Sequence, residues 1–348
     1  MNYSLKTYLE ANDMIFITGG SGHLGNVLIR KLKNSGERIV ALVHPKDNCV
    51  SLEGLDVKIV KGDIRDYETV KKFARNADLI IHLAAYISIL PWKKKKVFSV
   101  NVNGTRNIIN ICMKTGKRLI YVSSVHAFEE PRQRAIINEE TKIDPKKTSG
   151  VYGKSKATAA LEILNAAKAG LDVVTICPTG IIGPYDFKPS EMGKFFLKYL
   201  SGKLKYIIDG SFDFVDVRDV ADGIIALSEK GKKGEFYILG NKTFSITEIV
   251  KLLNKITGYK TIPKIINQKL AYSASLFSIT FGLLTNNTPI FTPYSIHTLT
   301  RNYTFSHEKA KKEINYTPRP IGETLFDTLN WFKYSKEKLL NFTHLYHT

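Results

Sequence analysis

Short apolar runs alternate with amphipathic stretches along the first half of the chain. Residues 14–17, 38–43, 57–60, 79–83, 119–123 and 173–177 are close to continuously apolar rather than alternating. Strands buried on both faces, as in a parallel sheet, carry that pattern. Between these runs, residues 26–34, 69–76, 94–115 and 152–168 set apolar positions at helical spacing. Repeated strand–helix units predict an α/β fold, a doubly wound parallel sheet with helices on both faces. After Pro178-Thr-Gly the alternation loosens into Gly/Pro-punctuated segments and several helices, with strands returning near 235–239. The pattern shows no internal repeat and no low-complexity linker.

The richest stretch lies directly behind the first run: Thr18-Gly-Gly-Ser-Gly-His-Leu-Gly25. A buried strand breaks there into a glycine turn that opens an amphipathic helix. Gly19 and Gly22 let backbone turn tightly and approach a pyrophosphate, while Gly25 permits close helix–strand packing. The helix N-terminus adds free N–H groups and a positive dipole end, so Ser21, His23 and Leu24 join the glycines as candidate phosphate neighbours. Farther on, Tyr152-Gly-Lys-Ser-Lys156 stacks a phenol and an amine at i and i+4 on one helix face. An ammonium beside a phenol favours the phenolate, which predicts a lowered Tyr152 pKa and a residue fit for proton transfer. Upstream, Val122-Ser123-Ser124 ends a strand at its C-terminal edge, where open α/β sheets bind ligands.

Taken in this order, these motifs resemble the extended short-chain dehydrogenase/reductase superfamily, of the NAD-dependent epimerase/dehydratase type. The resemblance covers nearly all of residues 14–335. It extends to Gly62-Asp-Ile-Arg-Asp66, His82-Leu-Ala-Ala85, Val100-Asn-Val-Asn-Gly-Thr105 and Val215-Asp-Val-Arg-Asp-Val-Ala221. Leu52-Glu-Gly-Leu-Asp-Val57, residues 241–249 and Tyr316-Thr-Pro-Arg-Pro-Ile321 point to the dihydroflavonol-4-reductase-like branch, related to the 3β-hydroxysteroid dehydrogenases. The expected architecture is a Rossmann NAD(P)-binding domain over residues 14–180, behind a disordered arm at 1–13. A smaller, mostly helical C-terminal substrate lobe follows over 181–348, with segments near 210–245 returning to the first domain. Met14 is a candidate start as well as Met1.

By the resemblance, Tyr152 is the proton donor or acceptor, Lys156 holds the nicotinamide ribose, and Ser124, in preference to Ser123, bonds the substrate oxygen. Asp63 and Ile64 match adenine contacts, and Ala84 and Ala85 let backbone approach the pyrophosphate. Asn101 and Pro178 complete the expected cofactor neighbours. The second strand ends in His44-Pro45-Lys46 with no carboxylate where NAD-selective sites place one, and Asp47 is read as standing too late. Basic residues there suit a 2′-phosphate, so NADP(H) is the expected cofactor and NAD(H) the alternative.

The substrate is expected to be a hydrophobic carbonyl or alcohol compound. Tyr86, Trp92, Phe128, Tyr185, Phe187, Phe195 and Tyr199 crowd the candidate pocket segments and suggest an apolar or aromatic compound, although each taken singly fits a core better than a ligand-facing wall. Nucleotide-sugar relatives carry a diphosphate-gripping Arg just before the segment matching 214–217, where this chain reads Ser211-Phe212-Asp213. They also carry an Asn soon after the sixth strand, where this chain reads Pro178-Thr-Gly. A nucleotide-sugar epimerase or dehydratase is therefore the second reading, and a non-catalytic NADP-binding sensor, which needs no proton donor, the third.

A net charge of +19 raises the question of nucleic acid or an anionic surface. The lysines are spread along the chain, and the one dense run, Lys93 to Lys96, opens a predicted helix as a solvated face. No nucleic-acid module accompanies them, so no nucleic-acid partner is expected. Cys49, Cys112 and Cys177 are isolated, and no His/Asp/Glu cluster has ligand spacing, so neither disulfides nor a metal are expected. Residues 1–13 have no apolar core of a secretory signal, which predicts a cytoplasmic protein. Residues 270–284 are the most apolar stretch but too short and interrupted to span a bilayer. They are expected as a helix on the substrate lobe, with membrane-surface contact as the lesser alternative. A homodimer on the helices containing Asn107 and Ala159 follows family habit.

Overall fold

The computed structural model describes residues 13–32, 36–88, 90–131, 135–208, 210–273, 275, 293–301 and 303–335. In chain order the strands are β1 (Met14–Thr18), β2 (Arg38–Val43), β3 (Lys58–Lys61), β4 (Leu79–His82), β5 (Arg118–Val122), β6 (Ile136–Ile137) and β7 (Val173–Pro178). Then come β8 (Gly180–Ile182), β9 (Tyr206–Ile208), β10 (Ser211–Asp216), β11 (Phe236–Leu239), β12 (Lys242–Ser245), β13 (Lys264–Ile266) and β14 (Thr304–Phe305). The helices are α1 (His23–Leu32), α2 (Tyr67–Ala74), α3 (Lys94–Phe98), α4 (Gly104–Thr115), α5 (Gly150–Lys168), α6 (Glu191–Leu200), α7 (Val217–Lys230) and α8 (Ile246–Thr257). Helical residues 268–273 form α9, followed by α10 (Pro293–Leu299), α11 (Glu308–Ile314) and α12 (Ile321–Tyr334).

Seven strands form one sheet in the order β11-β7-β5-β4-β1-β2-β3, and every neighbouring pair is parallel. Helices cover both faces. Ile15 and Ile17 pack with Leu28 of α1 and Ile224 of α7, while Phe16 between them packs with Val70 of α2, Ile108 of α4 and Ala159 of α5. Each such side chain, fully buried, contributes roughly 1.5–3 kcal/mol, which is why the strands need apolar residues at consecutive positions. The strand order reverses between β1 and β4, so the C-terminal ends of β1, β4 and β5 open a crevice there. The remaining small sheets are β12-β10-β8, β13-β9 and β14-β6. They share a third core, with Phe128, Phe196, Tyr199, Phe214, Leu325 and Phe332 at its centre.

The predicted single helix over 94–115 is broken. A π-helical turn, Ser99–Asn103, separates α3 from α4. Its wider turn lets Asn101 grip the Tyr86 backbone, accepting from its N–H at 2.7 Å and donating to its carbonyl at 3.1 Å. Helix α1 starts earlier than the apolar pattern implies, directly at the glycine turn, and its expected end at 33–34 lies outside the described residues. So do the expected arm, apart from Asp13, and most of the apolar stretch 270–284. Among the described residues no helix is long and apolar enough to cross a membrane.

Candidate active site

The glycine turn has the shape a dinucleotide phosphate requires. Gly19 sits at φ +73°, and a Cβ there would lie 2.8 Å from the Ala84 nitrogen. A Cβ on Gly25 would lie 2.7 Å from the Gly20 carbonyl oxygen. The Gly22 N–H donates to the Gly19 carbonyl at 3.0 Å, closing the turn against the N-terminus of α1. Ala84 is held by its N–H to Thr18 Oγ1 at 3.1 Å, and Thr18 lies 2.7 Å from His82 Nδ1. Burial pushes His82 down to about 3, so this histidine is a neutral brace between Thr18 and Thr105. Side chains at Gly19 or Gly25 would fill the cradle, and these residues therefore fit a bound nucleotide diphosphate. Among the described residues no group of His, Cys, Asp and Glu side chains is arranged to hold a metal ion.

Asp47 lies closer to the glycine turn than its place in the sequence implies. The loop after β2 folds back, and the Asp47 carboxylate accepts from Ser21 Oγ in the glycine turn at 2.7 Å. It also pairs with the Lys188 ammonium, which arrives from the segment after β8. Although burial works against it, the bonds from Lys188 and Ser21 hold this carboxyl below its usual range. Exposed His44 and Lys46 stand at the rim, and Lys61 Nζ donates to the Asp47 carbonyl at 3.0 Å. Neighbouring backbone is tied to α1 as well. His23 Nε2 donates to the Pro184 carbonyl at 2.9 Å, and Asn26 donates to the Tyr185 carbonyl at 3.2 Å. The His23 side chain is thus spent on the chain after β8. Asp63 is gripped by Arg65, whose hydrogen bonds hold its carboxyl below the usual range. Ile64 is buried, with its carbonyl accepting from Asn107 at 2.9 Å.

At the end of β5, Ser124 caps a short turn, its Oγ accepting from the His126 N–H at 3.2 Å. Ser123 is buried beside Cys177 and Tyr121. Helix α5 carries Tyr152 and, one turn on, Lys156, which is 3% exposed. The Lys156 ammonium donates to the Val122 carbonyl at 2.9 Å. Burial brings it down to about 8. The expected lowering of Tyr152 is not found. Burial raises this phenol above its ordinary value, Tyr294 adds to the rise, and a hydrogen bond from Ser124 opposes it. The Lys156 ammonium is directed to the strand carbonyl, and burial rather than this cation governs the phenol. Asn101 reaches the same region through Ser155, donating to its Oγ at 2.9 Å. Pro178, at the end of β7, pairs with Leu239 of β11.

Several residues around Tyr152 carry no signal in the sequence. His126 lies edge-on to Tyr152, with ring centroids 6.0 Å apart, and stacks on Phe212 at 5.7 Å and 14°. From α10, Tyr294 places its hydroxyl 3.3 Å from His126 Nδ1, and its ring fills the space a Cβ on Gly150 would need. Arg301, with a side chain 5% exposed, is bound by Glu130 at 2.6 Å. Burial and then Arg301 push His126 down to about 3, leaving it neutral. Bonds from His297 and Arg301 hold Glu130 down at about 2, against the effect of its burial. The aromatics expected at the pocket lie mostly elsewhere. Phe128 and Tyr199 are core residues, and Phe187 packs on Trp331.

A model of the NAD dependent epimerase/dehydratase family matches residues 15–240. Sterol demethylase protein B of Methylococcus capsulatus is 30% identical over 91% of this chain and 97% of its own length. The 3beta-hydroxysteroid-dehydrogenase/decarboxylase isoform 1 of Arabidopsis thaliana is 29% identical over 94% of this chain and 81% of its own. Among solved structures, the crystal structure of gox2253 superposes with a TM-score of 0.81 at 28% identity, covering 93% of this chain and 98% of that one.

Proposed function

The chain belongs to the NAD dependent epimerase/dehydratase family, and from that premise we propose that it is an NADP(H)-dependent oxidoreductase interconverting a hydrophobic carbonyl compound and its alcohol. One juxtaposition carries this assignment. Tyr152 and Ser124 meet at the C-terminal edge of the sheet, with Lys156 on the Val122 carbonyl beside them, against an apolar wall of Phe212, His126 and Tyr294. Arg301, which approaches His126 at that wall, is committed to Glu130 and is not free to grip a diphosphate. Two relatives whose names concern sterols share this chain over most of its length, and a sterol is a hydrophobic alcohol.

When bound, the nicotinamide supplies or accepts the hydride. Tyr152 then gives its proton to the oxygen of the carbonyl substrate, or takes one from the alcohol. Ser124 holds that same oxygen by a hydrogen bond. Lys156, whose ammonium donates to the Val122 carbonyl at 2.9 Å, would hold the ribose hydroxyls, and its charge there would stabilise the phenolate form of Tyr152. Phe212 and His126 exclude water from the reacting carbon. Asp63, Ile64, Ala84, Ala85 and Pro178 would flank the dinucleotide, and the glycine turn of Gly19, Gly22 and Gly25 would hold its phosphates.

The lysine-rich rim of Lys46, Lys61 and Lys188, with His44 beside it, favours a 2′-phosphate, Asp47 being neutralised by Lys188. Asp47 also favours a second reading, with NAD(H) bound through its ribose hydroxyls, as in a sugar-nucleotide epimerase or dehydratase. The same family reading carries a homodimer on α4 and α5, beside a cleft of about 680 Å³ lined by Trp92, Phe98 and Val102. Fluorescence titration with NADPH and NADH tests the assignment. Tighter, exchangeable NADPH is expected; retained NAD(H) or a preference for NADH would replace it with the second reading.

A further inference from the structure

Between Glu248 and Glu308 the chain contains no aspartate or glutamate. Within that span, β13 and α9 expose apolar side chains that a soluble surface ordinarily hides. Ile262 is 89% exposed, Leu270 66% and Ile265 56%, with Tyr259 and Tyr272 each at 48%. Parallel pairing of β13 with β9 sets Lys264 beside Tyr206, itself 54% exposed. Lys260, Lys264 and Lys269 alternate with these apolar groups and are themselves exposed, and none of the three has an ion-pair partner among the described residues.

From this combination we infer that the face formed by β13, α9 and the loop before them docks on an anionic lipid bilayer. Aliphatic and aromatic side chains interleaved with exposed lysines match the boundary between acyl chains and acidic headgroups. The aliphatic groups distinguish a bilayer from a nucleic acid. Ile262, Ile265 and Leu270 offer a polyphosphate neither charge nor a stacking face, whereas in the acyl region each loses apolar surface to hydrocarbon. The patch is also continuous with the site wall. Ala271 of α9 shares a small core with Ile208 of β9 and Ile296 of α10, and α10 carries Tyr294 against His126. A hydrophobic substrate dissolved in the membrane would thus be presented next to Tyr152. Docking itself does not depend on the proposed chemistry.

Vesicle co-sedimentation of the full chain tests this inference, comparing mixed phosphatidylglycerol/phosphatidylcholine with phosphatidylcholine alone at low and high salt. Binding is expected only to the anionic vesicles, weakening with salt. Combined Lys260→Glu, Lys264→Glu and Lys269→Glu substitutions should weaken it by about fivefold or more per lysine. Ile262→Ser with Leu270→Ser should weaken it as well, with an unchanged melting temperature because both side chains are exposed. Reversal of the denser run, Lys94→Glu, Lys95→Glu and Lys96→Glu, serves as the control and should leave binding largely intact. Equal loss in the control variant would overturn the inference in favour of diffuse charge attraction. It would also fall if the protein ignored vesicles but bound oligonucleotides, or if the isoleucine and leucine changes abolished only self-association. Vesicle binding by a protein inactive on every carbonyl would leave the docking face standing and remove the proposed chemistry alone.

Discussion

Lys156→Met should stabilise the cofactor-free protein while destroying its activity. The ammonium is 3% exposed, donates to the Val122 carbonyl at 2.9 Å and lies 5.3 Å from the centre of the Tyr121 ring. Burial lowers it from 10.5 to about 8. A gap of that size corresponds to about 3 kcal/mol of folding free energy lost at neutral pH. Below pH ~8 both folded and unfolded chains hold the proton, and the penalty is full. Between about 8 and 10.5 the folded chain releases its proton first, so wild-type stability rises with pH; above that range nothing further changes. Methionine carries no charge and fills similar space, but forfeits a hydrogen bond of about 1 kcal/mol. The variant should therefore be more stable by about 2 kcal/mol near pH 7, or ~3 °C in Tm for a chain of this size. That advantage should vanish near pH 10. Thermal and urea unfolding of both proteins at the two pH values, without cofactor, would measure it. A variant less stable than wild type near pH 7, or an advantage that ignores pH, would refute the account of a buried ammonium held in reserve.

Tyr152→Phe should reduce turnover by about 10²–10⁴-fold while changing the cofactor Kd less than about twofold, read by steady-state kinetics beside fluorescence titration. Gly25→Ala forces a Cβ to within 2.7 Å of the Gly20 carbonyl oxygen, and should cost about 1–3 kcal/mol in unfolding free energy together with a clear loss of cofactor affinity. Lys188→Ala leaves the Asp47 carboxylate unneutralised beside Ser21, so NADPH binding should weaken by about tenfold and NADH binding much less. Asp47→Asn should shift the same ratio toward NADPH; equal effects on both nucleotides in a titration would remove this pair from cofactor selection.

The parallel sheet was legible because strands buried on both faces must be apolar at every position, and β1, β2, β4, β5 and β7 fall within a residue of those runs. Tyr152 and Lys156 were legible as a pair because α-helical spacing brings i and i+4 together. Their electrostatics were not, since that depends on which carbonyl the ammonium finds, and here it finds Val122. The break at Ser99–Asn103 leaves no mark in the sequence, because a π turn inserts a residue without disturbing the apolar content of the helix. Asp47 comes late after the second strand, but the loop doubles back and brings its carboxylate to Ser21. Tyr294 and Arg301 reach the site from far along the chain, and no local pattern announces such an encounter.

The central claim is that net hydride transfer occurs on a hydrophobic alcohol or ketone next to Tyr152. Its most direct test follows reduced-nicotinamide absorbance while the protein is offered sterol and flavonoid alcohols and ketones with NADP(H), and nucleotide sugars with NAD(H). The account predicts stoichiometric oxidation or reduction of a hydrophobic compound that disappears in Tyr152→Phe. Conversion of a nucleotide sugar with no net change in nicotinamide absorbance would contradict it.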